Sequence, residues 1–152
     1  MPHIHELIDF TVDVFIVYHD KVLLVFHKKH NMWLQIGGHI ELNEDPEQAL
    51  FREVKEECGL EIEIIGKKEP QIEVDGTKFL YPPAFMNIHK INENHKHVGL
   101  YYIAKAKNDK FTLNDAEHKD IKWFSREDLD NPEFKLSESL NFYAKKALEL
   151  AS

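Results

Sequence analysis

The chain has 152 residues, 43 % apolar and 30 % charged, with a formal net charge of -8. That length suits one domain, residues 1–152, with a real core, and the acidic balance speaks against a generic nucleic-acid-binding surface, which is normally basic. A phosphorylated ligand would be repelled too, unless cations reverse the sign locally.

The opening Met1-Pro2-His3-Ile4-His5-Glu6 lacks a basic region followed by an apolar one, and no run approaches membrane-spanning length. The expected location is therefore cytoplasmic, with no membrane partner. Residues 10–18 are rich in β-branched and aromatic side chains, His19-Asp20 reads as a turn, and residues 22–26 form a second apolar run, together a hairpin. Asp13 interrupts the first strand, which calls either for a polar, cavity-lining face or for a partner on a neighbouring element. Residues 27–31 are a polar connection, and residues 32–36 a short strand ending in Gly37-Gly38, where the backbone can turn tightly and approach a ligand.

The next stretch carries the chemistry. Asp45 can cap a helix, Pro46 suits its first position, Gln48 stands where a capping-box partner reaches back, and Gly59 supplies a left-handed stop. Between them lies a helix of about three turns. At about 100° per residue, Leu50, Val54 and Cys58 share an apolar flank, and Glu53, Glu56 and Glu57 form the adjacent one, while Gln48, Arg52 and Lys55 face elsewhere. Cys58, the lone cysteine, reads as a small core residue, and no internal disulfide is possible. Like charges at this spacing repel unless neutralised. The triplet is either a solvated acidic face or a wall for a hard divalent cation, which prefers oxygen ligands.

Residues 61–65 alternate as a half-exposed strand does, and residues 66–83 read as loop, with a possible strand at 71–74 and a short apolar run at 79–81. Residues 84–91 and 98–106 read as strands separated by the polar loop 92–97, and a further loop leads to the strand 121–124. A short helix follows the capping pattern at Ser125, and a C-terminal helix over 137–150 sets Leu140, Tyr143, Ala144, Ala147 and Leu148 at helical spacing. The economical arrangement is a mixed sheet with one helix on each side.

Gly38, five residues, Glu44, seven residues, then Arg52-Glu53-Val54-Lys55-Glu56-Glu57-Cys58-Gly59-Leu60 fills every fixed position of the Nudix box. The chain thus resembles the MutT-like Nudix hydrolases. The resemblance implies an α/β fold, the Nudix-type α/β/α sandwich around a mixed β-sheet. It also implies Mg²⁺- or Mn²⁺-dependent hydrolysis of a phosphoanhydride in a nucleoside diphosphate-linked small molecule or a nucleoside triphosphate. Carried over residue by residue, Gly37 (through its carbonyl), Glu53, Glu56 and Glu57 become metal ligands, and Arg52 orients Glu53. Glu44 would support metal or water from the side, and can at the same time stabilise the helix N-terminus as a first-turn charge.

Two carboxylates compete for the proton of the attacking water: Glu53, and Glu117, which matches the family's habit of placing an acid shortly before a tryptophan-containing strand, here Trp123. The bland reading of Glu117 is an exposed loop charge. The family usually has proline before the glycine pair, whereas this chain has Ile36 preceded by Gln35, a difference on the substrate side of the loop. His95 and His97 would point to one side of a strand. They read as a polar hairpin tip, as a substrate-contacting pair, or as a metal pair lacking a clear third ligand. Trp33, Tyr81 and Phe85 are either stacking platforms for a base or ordinary core.

Nucleoside triphosphates, ADP-ribose and dinucleoside polyphosphates all remain open as substrates. The Ser-Gln-Pro-Trp-Pro-Phe-Pro run of NADH-cleaving relatives is absent, as is a coenzyme A signature upstream of the box. Two other readings are a nucleotide sensor without turnover and an RNA 5′-end pyrophosphohydrolase, the latter disfavoured by the acidic charge. Homodimers are frequent among relatives, but no interface is identifiable in the sequence.

Overall fold

The computed structural model describes residues 4–152; Met1, Pro2 and His3, at the start of the stretch read for a targeting signal, lie outside them. The chain runs β1 (Ile8–Tyr18), β2 (Lys21–His27), β3 (Met32–Leu34), β4 (Ile36–His39), α1 (Pro46–Glu57), β5 (Ile62–Ile64), β6 (Phe85–Asn92), β7 (His95–Ala106), β8 (His118–Phe124), α2 (Arg126–Leu129) and α3 (Glu138–Leu150). A single 3₁₀ turn, Pro132–Phe134, links the last two helices.

Among the described residues the strands form one mixed sheet, ordered β3-β2-β1-β7-β5, with β4 paired to β1, β6 to β7 and β8 to β2. Its centre is β1, which runs parallel to β7 from Ile8↔Lys96 to Val17↔Lys105 and antiparallel to β2 and β4. Because side chains alternate along a strand, Val12, Val14 and Ile16 face one core, with Leu50, Val54 and Cys58 of α1, while Phe15 and Val17 face another, with Leu140, Ala144 and Ala147 of α3. The result is the expected α/β/α sandwich.

Local signals decide most boundaries. His19 and Asp20 both take positive φ, 45° and 59°, the geometry of a tight hairpin turn. Helix α1 starts on a complete capping box between Asp45 and Gln48, has Pro46 in its first turn, and ends before Gly59 at φ 68°. Ser137 caps α3.

Three expectations are corrected. The strand expected at 32–36 is two short strands, one paired with β2 and the other with β1. Residues 71–74 form no strand, only an isolated bridge between Val74 and Thr77, because no neighbouring strand offers them a ladder. The polar stretch 92–97 is not a loop: β6 ends at Asn92, β7 begins at His95, and the turn shrinks to two residues. No described helix is long and apolar enough to cross a membrane.

Candidate active site

The box glutamates divide by burial. Glu53 and Glu57 are almost wholly buried, 3 % and 5 % exposed, whereas Glu56 turns to solvent. They gain that depth at Gly37 and Gly38, since a side chain at Gly38 would overlap the Glu53 carboxylate. Gly37 N–H donates to Glu57 Oε2 at 3.1 Å.

Arg52 gathers the site. Its Nε and Nη2 clamp both oxygens of Glu44 at 2.6 and 2.9 Å, its Nη1 donates to Glu53 Oε1 at 2.8 Å, and Nη2 also donates to the His39 carbonyl at 3.0 Å. Nη1 also lies 3.4 Å from Glu56 Oε2. The helical wheel had turned Arg52 away from the glutamates; its long, flexible stem brings the head back to them. Glu44 precedes α1, so the first-turn acid is Glu47, and Glu44 reaches the site through Arg52.

The electrostatics follow. Burial and the neighbouring Glu57 charge push the Glu53 carboxyl up to about 8, against the pull of Arg52. Burial also raises Glu57, opposed by His118 and Gly37 N–H. Hydrogen bonds from Arg52 hold Glu44 below the usual carboxylate range and lift the guanidinium in turn. Two buried carboxylates raised by burial, with a third exposed beside them, fit a divalent cation of oxygen preference, whose charge would relieve both.

A cleft of about 480 Å³ opens in front of this wall, lined among others by Asp13, Gln35, Gly37, Glu53, Glu57 and Glu117. Asp13 satisfies both of its readings: it lines the cleft and accepts hydrogen bonds from Gln35 Nε2 at 2.7 Å and Thr11 Oγ1 at 3.1 Å. Burial pushes it up to about 6. Glu117 is brought to the wall by a loop anchored on the turn that follows β2: its carbonyl accepts from Lys28 N–H at 3.0 Å, and Lys28 Nζ donates to the Asp115 carbonyl. Glu57, Glu117 and His118 each offer a ligand atom within 4.8 Å of the others.

His97 lines the same cleft, whereas His95 is buried behind it. Trp33 packs among Phe26, Phe124 and Phe134, and Tyr81 lines a separate, larger hollow of about 1200 Å³ formed by residues 66–81, which contains no box residue. Neither is among the residues lining the cleft, and Phe85 packs in a tilted pair against Tyr143. The sequence reading passed over His118, which follows Glu117 and whose Nε2 faces Glu57; the acid-histidine pair ahead of Trp123 was its signal.

A model of the NUDIX domain matches residues 8–145. No curated protein matches the chain. A hydrolase of the NUDIX family from Clostridium perfringens is 38 % identical, over 95 % of this chain and 98 % of that one, with a TM-score of 0.85. A MutT NUDIX hydrolase from Burkholderia pseudomallei shares the fold at 22 % identity, covering 97 % of this chain and 100 % of that one, TM-score 0.65. So does an ADP-ribose pyrophosphatase from Streptococcus suis at 21 % identity, covering 94 % and 91 %, TM-score 0.60.

Proposed function

The chain belongs to the NUDIX hydrolase family and acts on pyrophosphate-containing substrates; from that premise we propose a divalent-metal-dependent pyrophosphohydrolase of small nucleotide-type diphosphates. The observation that carries the proposal is the pair of buried carboxylates, Glu53 held by Arg52 and Glu57 held by Gly37 N–H, side by side on an open cleft.

In this reading Gly37, Glu53, Glu56 and Glu57 hold Mg²⁺ or Mn²⁺. A bound cation supplies charge neutralisation for the phosphate oxygens and the attacking water. Arg52 fixes the Glu53 rotamer through a charge-assisted hydrogen bond, and Glu44 fixes Arg52. Glu117, exposed on its anchored loop, accepts the proton from water at a carboxylate oxygen, because Glu53 is buried against Arg52. The cleft volume suits a mononucleotide-sized group, and the ADP-ribose pyrophosphatase and MutT neighbours make ADP-ribose and nucleoside triphosphates the first substrates to try. A cytoplasmic location completes the proposal.

The test is phosphate release across nucleoside triphosphates, ADP-ribose, dinucleoside polyphosphates and nucleotide sugars, with Mg²⁺, with Mn²⁺ and with chelator. Metal-dependent cleavage of one class supports the proposal. Tight nucleotide binding without cleavage of any of them overturns it in favour of a sensor.

A further inference from the structure

A second group of metal-ligating side chains sits beyond the glutamate wall, assembled from three strands. The β1–β7 register sets Asp9 beside His97, and the β1–β4 register sets Thr11 opposite His39. His95 lies two residues before His97, hence on the same sheet face, as Asp9 does relative to Thr11. The third ligand that the His95/His97 pair lacked in sequence is Asp9, more than eighty residues away.

The donors converge. Asp9, His95 and His97 each offer a ligand atom within 4.8 Å of the others. His95 Nε2 stands 3.3 Å from Asp9 Oδ2, and His39 Nε2 stands 3.2 Å from the same oxygen and 3.3 Å from His97 Nε2. Two donors bound at about 2.0 Å to one tetrahedral ion lie about 3.3 Å apart. Asp9, His95 and His39 are all buried, at 0 %, 3 % and 7 % exposure.

The surroundings orient these atoms as an outer shell does. His95 Nδ1 lies 2.9 Å from the Glu6 carbonyl, so the proton sits on Nδ1 and Nε2 turns inward. Asp9 accepts backbone N–H bonds from Ile4 at 3.0 Å and His5 at 2.5 Å, which fix its carboxylate. His95 Nε2 and Asp9 Oδ2 thus face each other at 3.3 Å, beside the His97 and His39 nitrogens.

We propose that Asp9, His95 and His97, with His39 as fourth donor, form a site for a zinc-class transition metal, separate from the box glutamates. Imidazole-rich donor sets suit Zn²⁺ and its neighbours, whereas Mg²⁺ prefers the all-oxygen wall. The ion would pin the start of β1 to β4 and β7. It would also fix His39, whose carbonyl takes a hydrogen bond from Arg52. The proposal stands independently of the hydrolytic reading.

The experiment strips the purified chain with chelator, reloads it with Zn²⁺ or Co²⁺ alone, and measures retained metal after desalting together with the visible spectrum of the Co²⁺ form. Wild type and E53Q/E57Q should each retain one zinc-class ion and show the intense absorption of four-coordinate Co²⁺. H95Q/H97Q should bind Zn²⁺ at least about a hundredfold more weakly, the loss of two ligands exceeding that of an outer partner. Failure of E53Q/E57Q to retain zinc, a Co²⁺ spectrum of the weak six-coordinate kind in that variant, or undiminished zinc binding in a folded H95Q/H97Q overturns the site. Should H95Q/H97Q not fold, the E53Q/E57Q spectrum alone decides.

Discussion

His118 Nε2 stands 3.3 Å from Glu57 Oε1, with the imidazole 1 % exposed and its Nδ1 without a hydrogen-bond partner among the described residues. The ring donates its Nε2–H to the carboxylate, and β8 thereby shares in aiming a side chain of α1. His118→Ala should leave Glu57 short of one of its two partners. We expect roughly a 10- to 100-fold rise in the Mg²⁺ concentration needed for half-maximal turnover. Unchanged metal activation in a folded variant would remove His118 from the site.

Glu57→Gln keeps the shape of the side chain and removes its charge. Turnover should fall by at least about two orders of magnitude, with far-UV circular dichroism and thermal unfolding close to wild type. Near-normal turnover would contradict the assignment of the glutamate wall as the metal site.

Gly38→Ala tests the depth of that wall, because the added methyl would overlap the Glu53 carboxylate. The expected cost is about 1–3 kcal/mol, the range for overpacking a filled site, together with loss of activity as Glu53 is displaced. A denaturant midpoint and a rate equal to wild type would show that the backbone yields instead.

Stability should depend on pH in a way that a cation reverses. The Glu53 carboxyl is raised from 4.5 to about 8 in the folded chain. Between those values the folded state holds more protons than the unfolded one, so stability falls as pH rises. Asp9, Glu44 and Asp45 are shifted the other way, and their contribution is already complete above their unfolded values. Burial lowers His27, His89 and His97 from their ordinary 6.5, which offsets the fall below that value, so the chelated protein should lose melting temperature from about pH 7 towards pH 8. Mg²⁺ or Mn²⁺ should restore it increasingly over the same range, because its ligands must be deprotonated. A gap between metal-bound and chelated melting temperatures that does not widen with pH would refute this.

Asp45, Pro46, Gln48 and Gly59 announced α1 because capping is a contest among neighbours in sequence, and the box spacing was legible for the same reason. The helical wheel faced Arg52 elsewhere because it records where a side chain leaves the backbone, not how far its head travels; the resemblance instead paired it with Glu53, the hydrogen bond that the structure has. His95 and His97 looked like a loop because their polarity is matched by Asp9, His39 and the Glu6 carbonyl, contacts that only the sheet register creates. The apolar residues Ile72 and Val74 suggested a strand but stay exposed, since a strand needs a partner as well as a propensity.

The long parallel ladder between β1 and β7 also governs the order in which the molecule can be completed. Its ten registered pairs join segments separated by most of the chain, a topology that delays folding because the intervening loop must close first. During synthesis β1 can meet β2 and β4 early, but its other edge stays open until the ribosome has passed Lys105. Until then Asp9 has neither His95 nor His97 beside it, and the nascent chain presents a central strand with one open edge that wrong partners can occupy.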